Sequence, residues 1–193
     1  GIELSLGARI TDWLRWDLNG TWSKNRIKNY TGYMSDYNQN WKELYTQTAI
    51  YAGDTPISFS PSFMGNSLIS FNYKGFDASL QSQYVSRQYL DNFGIDENSL
   101  DPYFVNHLSL AYSFKLPSVK QITVGATIYN LFNTRYETNG YSQNAAVYEG
   151  SDKNQKAVIS YDPRFYPMAG TNVLAHILSL IHISEPTRHS LIS

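Results

Sequence analysis

The chain has 193 residues, a formal net charge of −1 and no cysteine, which leaves no basic footprint for nucleic acid and excludes a disulfide scaffold or thiolate metal site. Aromatic residues make up 15%, with 16 Tyr and 4 Trp, while charged residues reach 16% against about 25% in ordinary soluble domains. Tyr and Trp suit a membrane–water boundary, because each joins an apolar ring to a polar handle.

In residues 1–10, Ile2, Leu4, Leu6, Ala8 and Ile10 fall on one face of an extended chain, and Glu3, Ser5, Gly7 and Arg9 on the other. The pattern resumes after a tight turn at 11–12, with Leu14, Trp16, Leu18, Gly20 and Trp22 against Arg15, Asp17, Asn19, Thr21 and Ser23. Further on, Ile69, Phe71 and Tyr73 alternate with Ser70 and Asn72; Phe76, Ala78, Leu80 and Tyr84 with Asp77, Ser79, Gln81 and Gln83. Phe104, Leu108, Leu110, Tyr112 and Phe114 then stand opposite His107, Ser109, Ala111, Ser113 and Lys115, and Ile122, Val124, Ala126 and Ile128 opposite Gln121, Thr123, Gly125 and Thr127. Seven strands are predicted, near 1–10, 13–26, 63–74, 76–89, 103–116, 120–134 and 164–177. Short connections at 11–12, 74–75 and 116–120 alternate with long polar ones at 27–62, 90–102 and 135–163.

Strands of about 10 residues with one greasy face, joined alternately by brief turns and long loops, follow the layout of a transmembrane β-barrel. The predicted fold is therefore all-β, an antiparallel up-and-down barrel. Seven strands fall short of the smallest such barrels, which have about 8, so an open sheet with an exposed first edge and a poorly formed last strand is expected. The chain opens inside a strand, which reads as the C-terminal part of something longer. Lipid should meet Ile2, Leu4, Leu6, Leu14, Leu18, Ile69, Phe71, Leu80, Leu108, Leu110, Val124 and Ile128, with Glu3, Arg9, Arg15, Asp17, Gln81, Gln83 and Thr123 on the lumenal face. Trp13, Trp16, Tyr73, Phe76, Tyr112 and Phe114 are expected to form an interfacial girdle near the turns. The competing architecture is a soluble carbohydrate-binding β-sandwich, whose strands also alternate; the length of 27–62 speaks against it.

The stretch from Ile122 ends in Asn130, Leu131, Phe132 and Asn133, with Tyr136 three residues on; Pro167, Ala169 and Gly170 then open the last segment. This resembles the penultimate strand, last loop and last strand of TonB-dependent outer-membrane transporters, in their Bacteroidetes form. The resemblance covers residues 1–177 in topology and 121–177 in motif. It implies a large plugged barrel in the bacterial outer membrane, with outer-membrane lipid as its surroundings. TonB would be reached through N-terminal parts that precede Gly1, and a small-molecule or glycan solute would be imported: siderophore-bound iron, haem, cobalamin or a glycan. The terminal motifs look closer to ordinary transporters than to the starch-utilisation type, which favours an iron chelate. A passive porin or adhesive barrel is the alternative within the membrane. Family members end on an aromatic residue, whereas residues 178–193 here resemble a translated sequencing adaptor and are read as a non-native tail.

No catalytic constellation is present, so no enzyme activity, catalytic residue, cofactor or metal site is expected. His107 lies mid-strand on the polar face as a hydrogen-bonding residue; His176 lies near the end of the native-like sequence and His182 and His189 in the tail. Asp91, Asp96, Glu97 and Asp101 cluster in one loop but lack the spacing of a calcium loop. The candidate solute-binding residues are Tyr33, Trp41, Tyr45 and Tyr141, whose rings could stack on a sugar or an aromatic chelator, or else pack their loops on neighbours.

Overall fold

The computed structural model describes residues 1–117, 119–149 and 156–180. Seven strands form one antiparallel sheet in the order β1 (Ile2–Thr11), β2 (Leu14–Trp22), β5 (Phe63–Tyr73), β6 (Phe76–Val85), β9 (Tyr103–Leu116), β10 (Val119–Tyr129) and β15 (Asn172–Leu180). Each strand pairs only with its predecessor and successor in that order, as an up-and-down sheet must. β1 and β15 are both open edges among the described residues. No helix of the described residues is long and apolar enough to cross a membrane.

Residues opposite one another in an antiparallel ladder share a face, so the register fixes both faces without further assumption. One row runs Leu6, Leu18, Ser67 and Ser82; the next runs Ala8, Trp16, Ile69, Leu80, Leu108, Ile128 and Val173. Two rows further towards the turns come Tyr73, Phe76, Tyr112, Val124 and Ile177. All twelve apolar residues expected to share a face do so. The opposite face carries rows such as Gly7, Asp17, Leu68, Gln81 and His107, with Leu68 as an apolar exception. Here Arg15 pairs with Asp17 at 2.6 Å, Asn66 donates to Asn19 at 3.0 Å, Ser113 bonds Thr123 at 2.8 Å and Asn72 donates to Asp77.

The apolar face is bare. Leu4 is 58%, Val124 44% and Ile177 73% exposed. A sandwich would cover such a face with its second sheet; nothing among the described residues does. Aromatic residues bracket the band: Trp13, Phe71 and Phe76 meet at tilted and edge-on angles near the turns (5.3 and 6.0 Å), and Phe63 and Tyr84 (6.0 Å) at the other end. Trp16 departs from the expected girdle. Its register partners are Ala8 and Ile69, inside the band, and its indole N–H is satisfied by Ser67 Oγ at 2.8 Å.

Several boundaries differ from expectation. β2 stops at Trp22, and the expected loop 27–62 is mostly a long hairpin, β3 (Arg26–Asn38) and β4 (Glu43–Pro56). The predicted strand over 76–89 ends at Val85, with β7 (Gln88–Tyr89) pairing separately with β8 (Ser99–Leu100) around a single 3-10 turn at Asp96–Asn98. β10 ends at Tyr129, so the Asn130 motif lies beyond the strand. The residues expected to open the last strand form β14 (Pro163–Pro167), paired with β11 (Glu137–Ser142). β12 (Ala145–Tyr148) and β13 (Val158–Ser160) complete a second sheet in the order β13-β12-β3-β4, in which β12 runs parallel to β3. The last strand, expected to be poorly formed, pairs with β10 over nine positions, from Tyr129 opposite Asn172 to Gln121 opposite Leu180. From Leu178 onward its alternation inverts: Leu178 and Leu180 join the polar face beside Thr123 and Gln121, and Ser179 joins the apolar face. Residues 181–193, including His182 and His189, lie outside the described residues.

The β5–β6 turn shows how register is set. Lys74 and Gly75 both have positive φ (49° and 83°), as a two-residue hairpin with the correct twist requires. A Cβ on Gly75 would also lie 2.5 Å from the Ser113 carbonyl oxygen of the neighbouring strand. Gly75→Ala is therefore expected to destabilise the sheet by about 1–3 kcal/mol. Denaturant unfolding measures this; an unchanged midpoint would contradict it.

Candidate binding surface at the long-connection end

Antiparallel order puts every short turn at one end of the sheet and every long connection at the other. At the long-connection end the chain builds three fixed structures. The first is the β3–β4 hairpin with β12 and β13 on its flank, around buried Met34, Ala146 and Tyr148, with Ile50, Phe93 and Ile159 packed against them. Asp36, fully buried on the same side of β3 as Met34, accepts from Thr46 Oγ1 (2.7 Å) and Thr48 Oγ1 (2.6 Å), and the Thr48 hydroxyl also meets the Tyr148 hydroxyl at 2.6 Å. A buried carboxylate needs such donors.

The second is the 86–102 connection. Its acidic residues, considered above as a possible cation cluster, are each turned to structural use or left apart. Asp91 accepts from Asn98 Nδ2 (2.9 Å), Asn144 Nδ2 (2.6 Å) and the Phe93 amide (2.9 Å). This ties the connection to the segment between β11 and β12. Asp96 takes a hydrogen bond from the Tyr89 hydroxyl and an ion pair from Arg87, both at 3.0 Å; these hold its carboxyl below the ordinary aspartate range, Tyr89 first. Burial pushes the Tyr89 phenol up. Asp101 lies 3.9 Å from Arg87. No group of three or more metal-ligating side chains gathers among the described residues.

The third is the Asn130 motif, which is a knot of hydrogen bonds. Asn130 and Asn133 both adopt positive φ (52° and 53°), a region Asn tolerates better than most residues. Buried Asn130 donates through Nδ2 to the carbonyls of Thr134 (2.9 Å) and Ala169 (3.2 Å), and accepts from the Thr134 amide at 2.9 Å. Its own amide donates to His107 Nδ1 at 3.0 Å, and its carbonyl accepts from Thr171 Oγ1 at 2.7 Å. Asn133 Oδ1 takes the Thr171 amide at 3.1 Å, and the Leu131 amide reaches the Asn106 carbonyl at 2.8 Å. Tyr136 stacks on Tyr103 at 4.7 Å, while Phe132 stays exposed. The motif thus fastens β9, β10 and the start of β15 to one another. Of the other histidine, His176 lies on the polar face opposite Gly125.

The four candidate solute-binding aromatics are all exposed, and the structure does not bring them into one cluster. Trp41 sits at the hairpin tip with φ 56°, where Asn38 Oδ1 accepts from the Asn40 and Lys42 amides and the Asn38 carbonyl from Trp41. It faces Tyr37 at 6.0 Å, and both line a cavity of about 560 Å³ with Gln143, Asn144 and Asp162. Tyr33 lies on β3 opposite Ala49, on the side of the hairpin away from Met34. Tyr45, also at positive φ (56°), borders a separate hollow with Glu43 and Gln47. Tyr141 pairs with Tyr166 at 6.1 Å on the β11–β14 ribbon. A second cavity of about 590 Å³ lies beside the foot of the hairpin, lined by Trp22, Lys24, Arg26, Asp54, Arg87 and Tyr89 among others. Lys24, Arg26 and Arg87 belong to no sequence motif; what they share is a position just beyond the ends of β2 and β6.

No family model and no curated protein matches the chain. Among solved structures, the fold is similar to that of the siderophore receptor PiuA from Acinetobacter baumannii, with a TM-score of 0.61, 15% identity, and coverage of 92% of this chain and 21% of that one. It is also similar to the ferric yersiniabactin uptake receptor FyuA from Yersinia pestis, with a TM-score of 0.50, 17% identity, and coverage of 93% and 23%. The likeness is one of fold, and the chain spans less than a quarter of either receptor.

Removing the Asn130 side chain forfeits three buried hydrogen bonds at a strained position. Asn130→Ala is expected to cost about 2–4 kcal/mol, whereas Phe132→Ala, at an exposed site, should cost less than about 1 kcal/mol. Unfolding midpoints of the two variants decide; equal costs would remove the motif's structural role.

Proposed function

We propose that the chain is the C-terminal wall of a TonB-dependent outer-membrane transporter of the Bacteroidetes type. It imports a scarce solute through a longer, plugged barrel, with residues 178–193 foreign to it. The observation that carries the reading is the bare apolar face. Six strands, and the seventh as far as Ile177, keep one parity across the ladders, and that face lacks any protein cover among the described residues. Hydrocarbon is the solvent that suits it. β5 has 11 residues, which at about 3.4 Å each and a tilt of about 40° span roughly 25–30 Å, the height of a bilayer's apolar band. The inverted alternation from Leu178 onward supports a foreign tail, since it puts Ser179 on the apolar face and two leucines on the polar one, where Leu174 alone stands before it in β15.

The hairpin tip and the β11–β12 segment form the capture surface, with Trp41, Tyr37, Gln143 and Asn144 around one cavity. Flexible or projecting segments on a rigid wall are where binding residues concentrate. An iron chelate is favoured over a glycan, because both similar receptors are named for ferric or siderophore uptake. Uptake of iron chelates, haem, cobalamin and glycans in strains with and without the intact gene tests this, each with TonB present or removed. TonB-dependent uptake of a chelate is expected; uptake that survives loss of TonB would replace the transporter with a passive pore.

Membrane orientation has its own test. Leu110→Arg or Val124→Arg in the full-length protein should cost about 2–4 kcal/mol, and Gln83→Arg little, because only the first two would put a cation into hydrocarbon. Equal costs at the two kinds of site would reverse the assignment of faces.

A further inference from the structure

We infer that the apolar face carries a seat for one acyl chain of a lipid with an anionic phosphate head, at the β1–β2–β5 end of the sheet. This rests on the membrane reading above. Gly20 of β2 and Gly65 of β5 are direct cross-strand partners on the apolar face, one row below Trp22 and Phe63 and one above Leu18. The missing side chains leave a groove of about 300 Å³ walled by Ile2, Leu4, Leu6, Leu18, Trp22 and Phe63, with Asn19 the one polar residue along it.

Gly65 answers to Phe63, whose ring would stand 3.2 Å from a Cβ there, but glycine at position 20 meets no such constraint. Its φ is not in the left-handed region, and a Cβ there would meet nothing nearer than the Phe63 ring at 3.6 Å, an ordinary contact. Glycine inside a strand weakens it, and where there is neither a bulge nor a tight bend it marks close approach of a ligand or of another backbone. The β1–β2 and β2–β5 ladders run through Gly20 without a shift. The groove is small and its walls are apolar but for Asn19, which suits an acyl tail rather than the broad surface of a second protein copy.

The head group follows from what lies at the groove's upper end. Trp22 lines both the groove and the polar cavity of about 590 Å³ above it, where Lys24 and Arg26 stand with Asp54. Arg26 Nη1 donates to the Asp54 backbone carbonyl at 3.2 Å, which holds the guanidinium at the rim. Tryptophan at the headgroup level with cations just beyond it matches an anionic head over an apolar tail.

The test uses the full-length barrel purified in neutral detergent and offered mixed micelles of phosphatidylglycerol or phosphatidylcholine, with bound lipid counted by native mass spectrometry. The wild-type protein should retain one phosphatidylglycerol in preference to phosphatidylcholine. Gly20→Leu fills the groove and should lower retention by about four-fold for each methylene excluded, ten-fold or more in all. Lys24→Ala with Arg26→Ala should abolish the preference for the anionic lipid while leaving Gly20 untouched. Excess inorganic phosphate should leave the lipid in place; displacement would mean an ion site and overturn the proposal. So would equal retention by wild type and Gly20→Leu, both folded by strand content, or dimers held through this face that Gly20→Leu dissolves. Failure of the protein to insert into vesicles would instead remove the membrane reading itself.

Discussion

A backbone amide on a bare apolar face has one place to go, the carbonyl of the adjacent strand, and the whole sheet is arranged around that requirement. Once every strand is paired, parity follows: a slip of one residue anywhere would carry an entire apolar set to the wet side. The ladders run almost without shifts between β2 and β10; the irregular positions fall near the turns, at Arg9–Thr11 and Val119–Ile122. The side chains obey the same rule where they can. Trp16 sits in mid-band and still finds Ser67 for its indole N–H, while on the other face Ser, Thr and Asn pairs bridge neighbouring strands.

Such a wall is strong along its ladders and has no interior. Its buried side chains are found instead at one end: Val85, Leu90, Leu100 and Val105 around the 86–102 connection, and Met34, Ala146 and Tyr148 in the hairpin sheet. The protein therefore has two kinds of order. The strands are held by backbone pairing, and the long connections by small cores and by amide–carboxylate networks around Asp91, Asp36 and Asn130.

The wall was legible in the sequence because parity is local: Leu108, Leu110 and Tyr112 declare their face without reference to any partner. The hairpin was not. Its alternation from Tyr30 to Tyr37 is polar on both sides, and the one carboxylate that points inward, Asp36, is satisfied by Thr46 and Thr48 on a strand ten and more residues away. The parallel pairing of β12 with β3 joins residues over a hundred positions apart, which no periodicity can announce. The Asn130 motif was visible as a motif but placed inside a strand. The left-handed preference of two asparagines three apart was the overlooked sign that the strand had ended. Among the candidate binding aromatics the rings were legible and their grouping was not, since Trp41 meets Gln143 and Asn144 from a connection a hundred residues on.

That parallel pairing has a bearing on descent. Because β12 is stitched into the same sheet as β3, and Asp91 clasps Asn98 and Asn144 at once, three connections that are separate in the gene form a single cassette in space. A lineage cannot exchange one of these loops alone without leaving its partners' amides and carboxylates stranded. Successful exchanges should be inherited as matched sets, so that drift in one connection leaves compensating traces in the other two.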